Sequence, residues 1–192
     1  ILPRWLRWLV GRVKTPLVYD FDDAIFTTEV RRQNWLAAWK ERRNSTGLPA
    51  MLQLCKLAIV ENDYNAEFAA RHCPQIAQIT GPIDTDRYRP GPDRRRREIV
   101  IGWIGSASTL CYLELIREPL KQLAQRFPDV RLSIVGAEQI AMEGIETVTK
   151  AWNIDSEVAD LQEFDIGLMP MPDDPWTRGK GGYKLLQYMA TG

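Results

Sequence analysis

Ile99-Val100-Ile101-Gly102-Trp103-Ile104-Gly105-Ser106-Ala107-Ser108-Thr109 opens the most regular part of the chain. Six residues that are apolar but for one glycine stop at Gly105, and small hydroxyl residues follow. A continuous apolar run of this length is a strand buried on both faces, and such strands belong to parallel sheets covered by helices. Working downstream, the pattern predicts an amphipathic helix over Leu110 to Phe127 and a second strand over Arg131 to Val135, closed by Gly136. A third strand follows at Ile145 to Val148, a short helix at Val158 to Phe164, a fourth strand at Ile166 to Met169 and a last helix at Tyr183 to Ala190. Upstream, Leu17-Val18-Tyr19, Ala58-Ile59-Val60 and Gln75 to Thr80 read as short strands, with helical patterns at Trp35 to Lys40, Met51 to Leu57 and through Tyr64, Phe68 and Ala69. The fold class is therefore α/β throughout, built as two Rossmann-like units.

The segment Arg89 to Arg97 holds two prolines, a glycine and four consecutive arginines. It reads as a solvated connector, with a phosphate-binding patch as the alternative. The expected domains are residues 1–90, a linker over 91–97 and a second domain over 98–192. The chain begins at Ile1 and stops at Gly192, just as a helical pattern closes. Both ends read as cut, so the first domain is expected to be incomplete and the second to lack its last strands.

Composition narrows the function. The 192 residues are 45% hydrophobic and 26% charged, an ordinary globular balance that excludes a disordered or low-complexity chain. Twenty-five basic residues match 25 acidic ones, so no global charge favours nucleic acid, and none is expected as a partner. Cys55, Cys73 and Cys111 are far apart, and His72 is the sole histidine. A disulfide framework, a Cys/His zinc site and a histidine-based nucleophile are disfavoured, and a cytoplasmic setting is expected. No apolar run approaches the ~20 residues that span a bilayer. Leu2, Trp5, Leu6, Leu9 and Val13 recur at helical spacing among arginines. That first helix either packs on a sheet or makes peripheral contact with a membrane surface.

Three segments at strand ends carry candidate chemistry. Gly105 and Ser106 lead from a strand into a helix, where open backbone and free N–H groups favour an anion. The spacing is not a dinucleotide fingerprint, and an N-capped helix is the plain alternative. Met169 to Lys184 combines prolines and glycines with Arg178, Lys180 and Lys184, three cations and oriented amides suited to a diphosphate, with a solvated basic loop as the alternative. The Walker signature is absent, so ATP hydrolysis is not indicated. Asp20, Asp22 and Asp23 cluster after the first strand. They are candidates for a general base or a divalent-cation site, and helix capping is the alternative.

These segments taken together resemble family-4 glycosyltransferases. Ile101 to Ser106, Trp152, Glu163 to Pro170 and Gly179 to Ala190 resemble that family's nucleotide-sugar domain. Tyr19 to Ala24 and Pro82 to Pro90 resemble the end of its acceptor domain and its hinge. The resemblance implies a GT-B enzyme of hexosyltransferase type, which moves a sugar from a nucleotide-diphosphate sugar to an acceptor hydroxyl with retention. No metal and no cofactor beyond that co-substrate is implied, and the acceptor would be a carbohydrate or glycolipid of cell-envelope polysaccharide assembly. Gly105, Ser106, Arg178, Lys180 and Lys184 would bind the donor diphosphate, Trp152 and Gln187 the nucleotide, and Asp22 and Asp23 would be catalytic. Where many members carry two glutamates eight positions apart, this chain has Gly179 and Gln187, and Lys184 replaces an apolar residue. A nucleotide-sugar-binding module without catalysis and a GT-B epimerase are the competing readings.

Overall fold

The computed structural model describes residues 4–27, 47–92, 97–137 and 141–192. The helix expected at Trp35 to Lys40 lies outside them. The chain divides into two compact units, residues 1–81 with 173–181, and residues 82–172 with 182–192.

In the first unit, helix α1 (Arg4–Val10) precedes strand β1 (Val18–Phe21), and the residues described in helix α2 are 47–52. Strand β2 (Leu57–Val60), helix α3 (Asp63–Ala70) and strand β3 (Ile76–Gln78) follow. The three strands form a parallel sheet in the order β1-β2-β3. Phe21, Leu48, Leu52, Ala58, Val60 and Ala69 make its core. Parallel neighbours need a crossover, and α3 supplies the one from β2 to β3. That helix starts cleanly because the Asn62 side chain accepts from the Asn65 N–H at 2.9 Å.

In the second unit, strands β4 (Ile99–Ile104), β5 (Val130–Val135), β6 (Glu146–Lys150) and β7 (Ile166–Gly167) make a parallel sheet in the order β6-β5-β4-β7. The central strands β4 and β5 are buried along nearly their whole length, as their apolar runs require. Helices α4 (Arg117–Arg126), α5 (Glu157–Leu161) and α6 (Tyr183–Thr191) belong to this unit. Two cores flank the sheet, one around Trp103, Leu132, Ile134 and Leu113, the other around Val100, Ile104, Leu161, Phe164 and Tyr88.

Several expectations change: the helix expected over Met51 to Leu57 ends at residue 52, where Leu57 opens β2, and the strand expected over Gln75 to Thr80 is Ile76–Gln78. The helix expected from Leu110 to Phe127 is instead a 3₁₀ stretch over Ala107–Ile116 followed by α4. Pro119 has no N–H to give the carbonyl of Leu115, so an α-helix cannot run through that turn, but the proline is tolerated in the first turn of a helix that starts at Arg117. The strand at Ile166 shortens to two residues. The two compact units divide at Gly81–Pro82. Tyr88 is buried in the second unit's core, and the Gln162 amide donates to the Arg89 carbonyl at 2.8 Å, so 82–90 packs with that unit despite its linker-like composition.

Candidate functional site

In the second unit, the carboxyl ends of β4, β5 and β6 converge on a stretch of bare backbone. Gly105 follows β4, and its N–H donates to the Val135 carbonyl at 2.9 Å. Gly136 follows β5 and donates to the Lys150 carbonyl at 2.9 Å. Gly136 has φ 91°, a left-handed conformation that an L side chain rarely adopts, and a Cβ there would overlap the Gly105 carbonyl oxygen. Trp152, two residues beyond β6, is half exposed, and its Cβ lies 3.4 Å from where a Gly136 Cβ would be. A Cβ on Gly105 would stand 2.6 Å from the Trp103 ring and 3.1 Å from Lys184 Nζ. The Lys184 ammonium sits over the buried Trp103 indole, 5.2 Å from its centroid, so Trp103 sets where this charge is held.

Ser106 is the N-cap of the 3₁₀ stretch, yet its hydroxyl makes no capping bond and lies 2.8 Å from the Ser108 hydroxyl. The first turn there has no acidic residue, and neither does the first turn of α6. Gly182 enters α6 with φ 76°, which turns the chain so that Lys184 falls in that first turn. The Ser106 hydroxyl, next to Gly105, and the Lys184 ammonium thus lie at strand ends without a carboxylate in either helix's first turn, a setting for an anion. Tyr188 braces it. Its hydroxyl donates to the Leu168 carbonyl at 3.0 Å, receives the Ile104 N–H at 3.4 Å, and is pushed up to about 12 by burial.

The remaining expected residues take other places. Arg178 and Lys180 lie in the first unit, so the structure does not gather the three cations in one unit. Arg178 forms a two-point bridge to Asp173 at 2.6 and 2.9 Å, and Lys180 bonds Asp23 at 2.7 Å while lying over the Trp176 ring. Of the acidic cluster, Asp22 is exposed and Asp23 is thus an ion-pair partner rather than a helix cap. Among the described residues no group of acidic, histidine or cysteine side chains is arranged to hold a metal. Gln187 is buried, and its amide donates to the Tyr88 hydroxyl at 3.1 Å and to Glu157 at 2.8 Å. Glu157 also accepts from Arg87 and from Tyr88, so the segment 87–88 is fastened to α5 and α6 by one buried carboxylate.

Sequence reading missed two residues at the acidic turn. Asn65 is fully buried, and its amide donates to the carbonyls of Asp22 at 3.2 Å and Gly179 at 3.0 Å. Glu61, just past β2, is pushed above the usual carboxylate range by partial burial and then by the charges of Asp22, Asp20 and Asp23. Only the Asn62-x-x-Asn65 cap pattern was there to flag Asn65, and its long-range partners lie 43 and 114 residues away. Glu61 had no signal, because its neighbours come from another strand.

No family model and no curated protein sequence matches the chain. Among solved structures it is similar to TarM, from "Crystal Structure of TarM", with a TM-score of 0.56 at 8% identity over 82% of this chain and 32% of that one. It is also similar to a chain of the "Glycosylation Associate Protein (Gap123) complex from Streptococcus agalactiae", with a TM-score of 0.48 at 14% identity over 97% of this chain and 43% of that one. The chain therefore spans about a third of TarM and less than half of the Gap123 chain. The likeness to TarM is one of fold alone, a mixed α/β arrangement with parallel sheets.

Proposed function

We propose that the chain carries the nucleotide-sugar side of a glycosyltransferase, of GT-B type and family 4. In the reaction, the bond from the sugar's anomeric carbon to the diphosphate breaks and the nucleotide diphosphate keeps the electron pair. A new bond forms from the same carbon to the acceptor oxygen, with retention, and the acceptor hydroxyl loses its proton. The observation that carries the reading is the cradle made by Gly105, Ser106, Gly136 and Lys184 at the strand ends. Its Ser106 hydroxyl and Lys184 ammonium stabilise charge that grows on the departing diphosphate, an effect that is commonly the largest in such catalysis. Trp152 offers a ring for the nucleobase, and Asp22 belongs to the acceptor side, where a carboxylate takes the proton. Arg178 and Lys180, in the first unit, are each held by an aspartate of that unit. The acceptor is a carbohydrate or glycolipid of envelope polysaccharide assembly.

Thermal unfolding with UDP, GDP, ADP and dTDP tests the binding claim. A nucleotide at 100 times its dissociation constant stabilises by about 2.7 kcal/mol, and at the same concentration Lys184→Met should keep about half of that or less. No shift with any nucleotide overturns the reading. A second reading, binding without transfer, is favoured by Gln187, whose amide is already engaged by Tyr88 and Glu157. Nucleotide binding without turnover over a donor and acceptor panel would select it.

A further inference from the structure

Helix α1 carries its apolar face outward. Trp5, Trp8 and Leu9, spaced to share one side of a helix, are 65%, 56% and 46% exposed, and Val13 just beyond is also exposed. Exposed indoles are costly in water and favourable at the boundary between lipid headgroups and acyl chains, where the ring is buried and its N–H stays wet. The charge around the face is one-sided. Residues 1–19 contain Arg4, Arg7, Arg12 and Lys14 and no acidic residue, although the whole chain is neutral. The Arg12 guanidinium lies 3.4 Å from the Trp8 ring centroid, so a cation rims the apolar face itself. Arg12 and Lys14 are exposed. Among the described residues no helix is long and apolar enough to cross a membrane, so contact would be at the surface.

From this pairing of exposed tryptophans with a local excess of positive charge, we infer that α1 and the turn after it are a docking surface for an anionic lipid bilayer. Two turns of helix bury too little apolar area to hold a membrane alone, and four basic residues alone would be released by moderate salt. Together they make a two-signal anchor. The inference is independent of the glycosyl-transfer reading.

The test is co-sedimentation of the chain with vesicles of phosphatidylcholine alone and of phosphatidylcholine mixed with phosphatidylglycerol, read also by a blue shift in tryptophan emission. Binding to the mixed vesicles should exceed binding to the neutral ones by at least about tenfold and weaken with salt. Trp5→Ser with Trp8→Ser should lower it at least about tenfold with the thermal transition kept. Arg12→Gln with Lys14→Gln changes two exposed side chains outside the helix. It should cost about fivefold per charge and flatten the salt dependence. Failure to sediment with either vesicle, or equal binding by the tryptophan variant, overturns the inference. A concentration-dependent dimer abolished by the tryptophan changes, without vesicle binding, assigns the face to a second copy instead.

Discussion

The two glycine-containing turns of this molecule pack alike and differ in what holds the cation beside them. After β4 and β5, the Gly105 and Gly136 amides close strand-end hydrogen bonds, and the space a Gly105 side chain would take lies against the Trp103 ring and the Lys184 ammonium. In the loop 173–181, the space is filled. A Cβ on Gly179 would overlap the Ala24 side chain, and one on Gly181 would overlap the Glu61 carboxylate. Asn65 then ties the Gly179 and Asp22 carbonyls together from beneath. Glycine is thus a packing joint in both places, and what differs is the cation beside it: Arg178 and Lys180 pair with aspartates, whereas the Lys184 ammonium lies over the Trp103 ring.

The contrast can be broken in several places. The largest effect is expected from Gly102→Ala, whose new methyl would enter the Phe164 ring inside the second core. Overpacking of this kind costs about 3 kcal/mol, to be read as a fall in the midpoint of urea unfolding. Next comes Asn65→Ala, which strands two carbonyls and should cost the first unit about 2 kcal/mol while leaving nucleotide-induced shifts in Tm intact. A loss of nucleotide binding with unchanged stability would mean that the loop 173–181 is a ligand loop after all. Lys184→Met should do the reverse, lowering nucleotide affinity by about tenfold or more with little change in unfolding, because it removes one charge-assisted contact to phosphate.

The smallest effect sharpens the joint. Glu61 binds its proton more tightly in the folded chain than in the unfolded one, so folding is opposed once the pH rises through its raised value. Glu61→Gln keeps the shape and removes that charge. A small rise in Tm is expected at pH 7, shrinking to nothing as the pH falls below the ordinary glutamate range. A fall in Tm at pH 7 would show that the carboxylate stabilises Gly181 rather than being crowded there.

Much of the second unit was legible because its strands are short apolar runs whose ends carry glycine. The run 99–104 became β4 residue for residue, and 130–135 matched to within one position. Gly105, Ser106 and Lys184 were marked as anion ligands from composition at a strand end and a helix start, and the structure brings Lys184 to Gly105. The same reasoning placed Arg178 and Lys180 beside Lys184, only a few positions away. It could not see that Asp173 and Asp23 neutralise them, since Asp23 is 157 residues from Lys180. The family resemblance gives Gln187 a ribose hydroxyl as its partner. Its environment, however, depends on Tyr88 and Glu157, which come from other elements.

What the sequence determined by itself was the local grammar: parallel α/β architecture, strand centres, and the helix start where a cation meets open backbone. These follow from hydrophobic period, glycine and proline, whose effects act over a few residues. Only the tertiary structure decided which neighbour fills the space beside each glycine, which aspartates pair with Arg178 and Lys180, and that the segment 82–90 packs with the second unit. Most of those depend on a partner tens of residues distant, and charge, burial and steric fit act through space rather than along the chain.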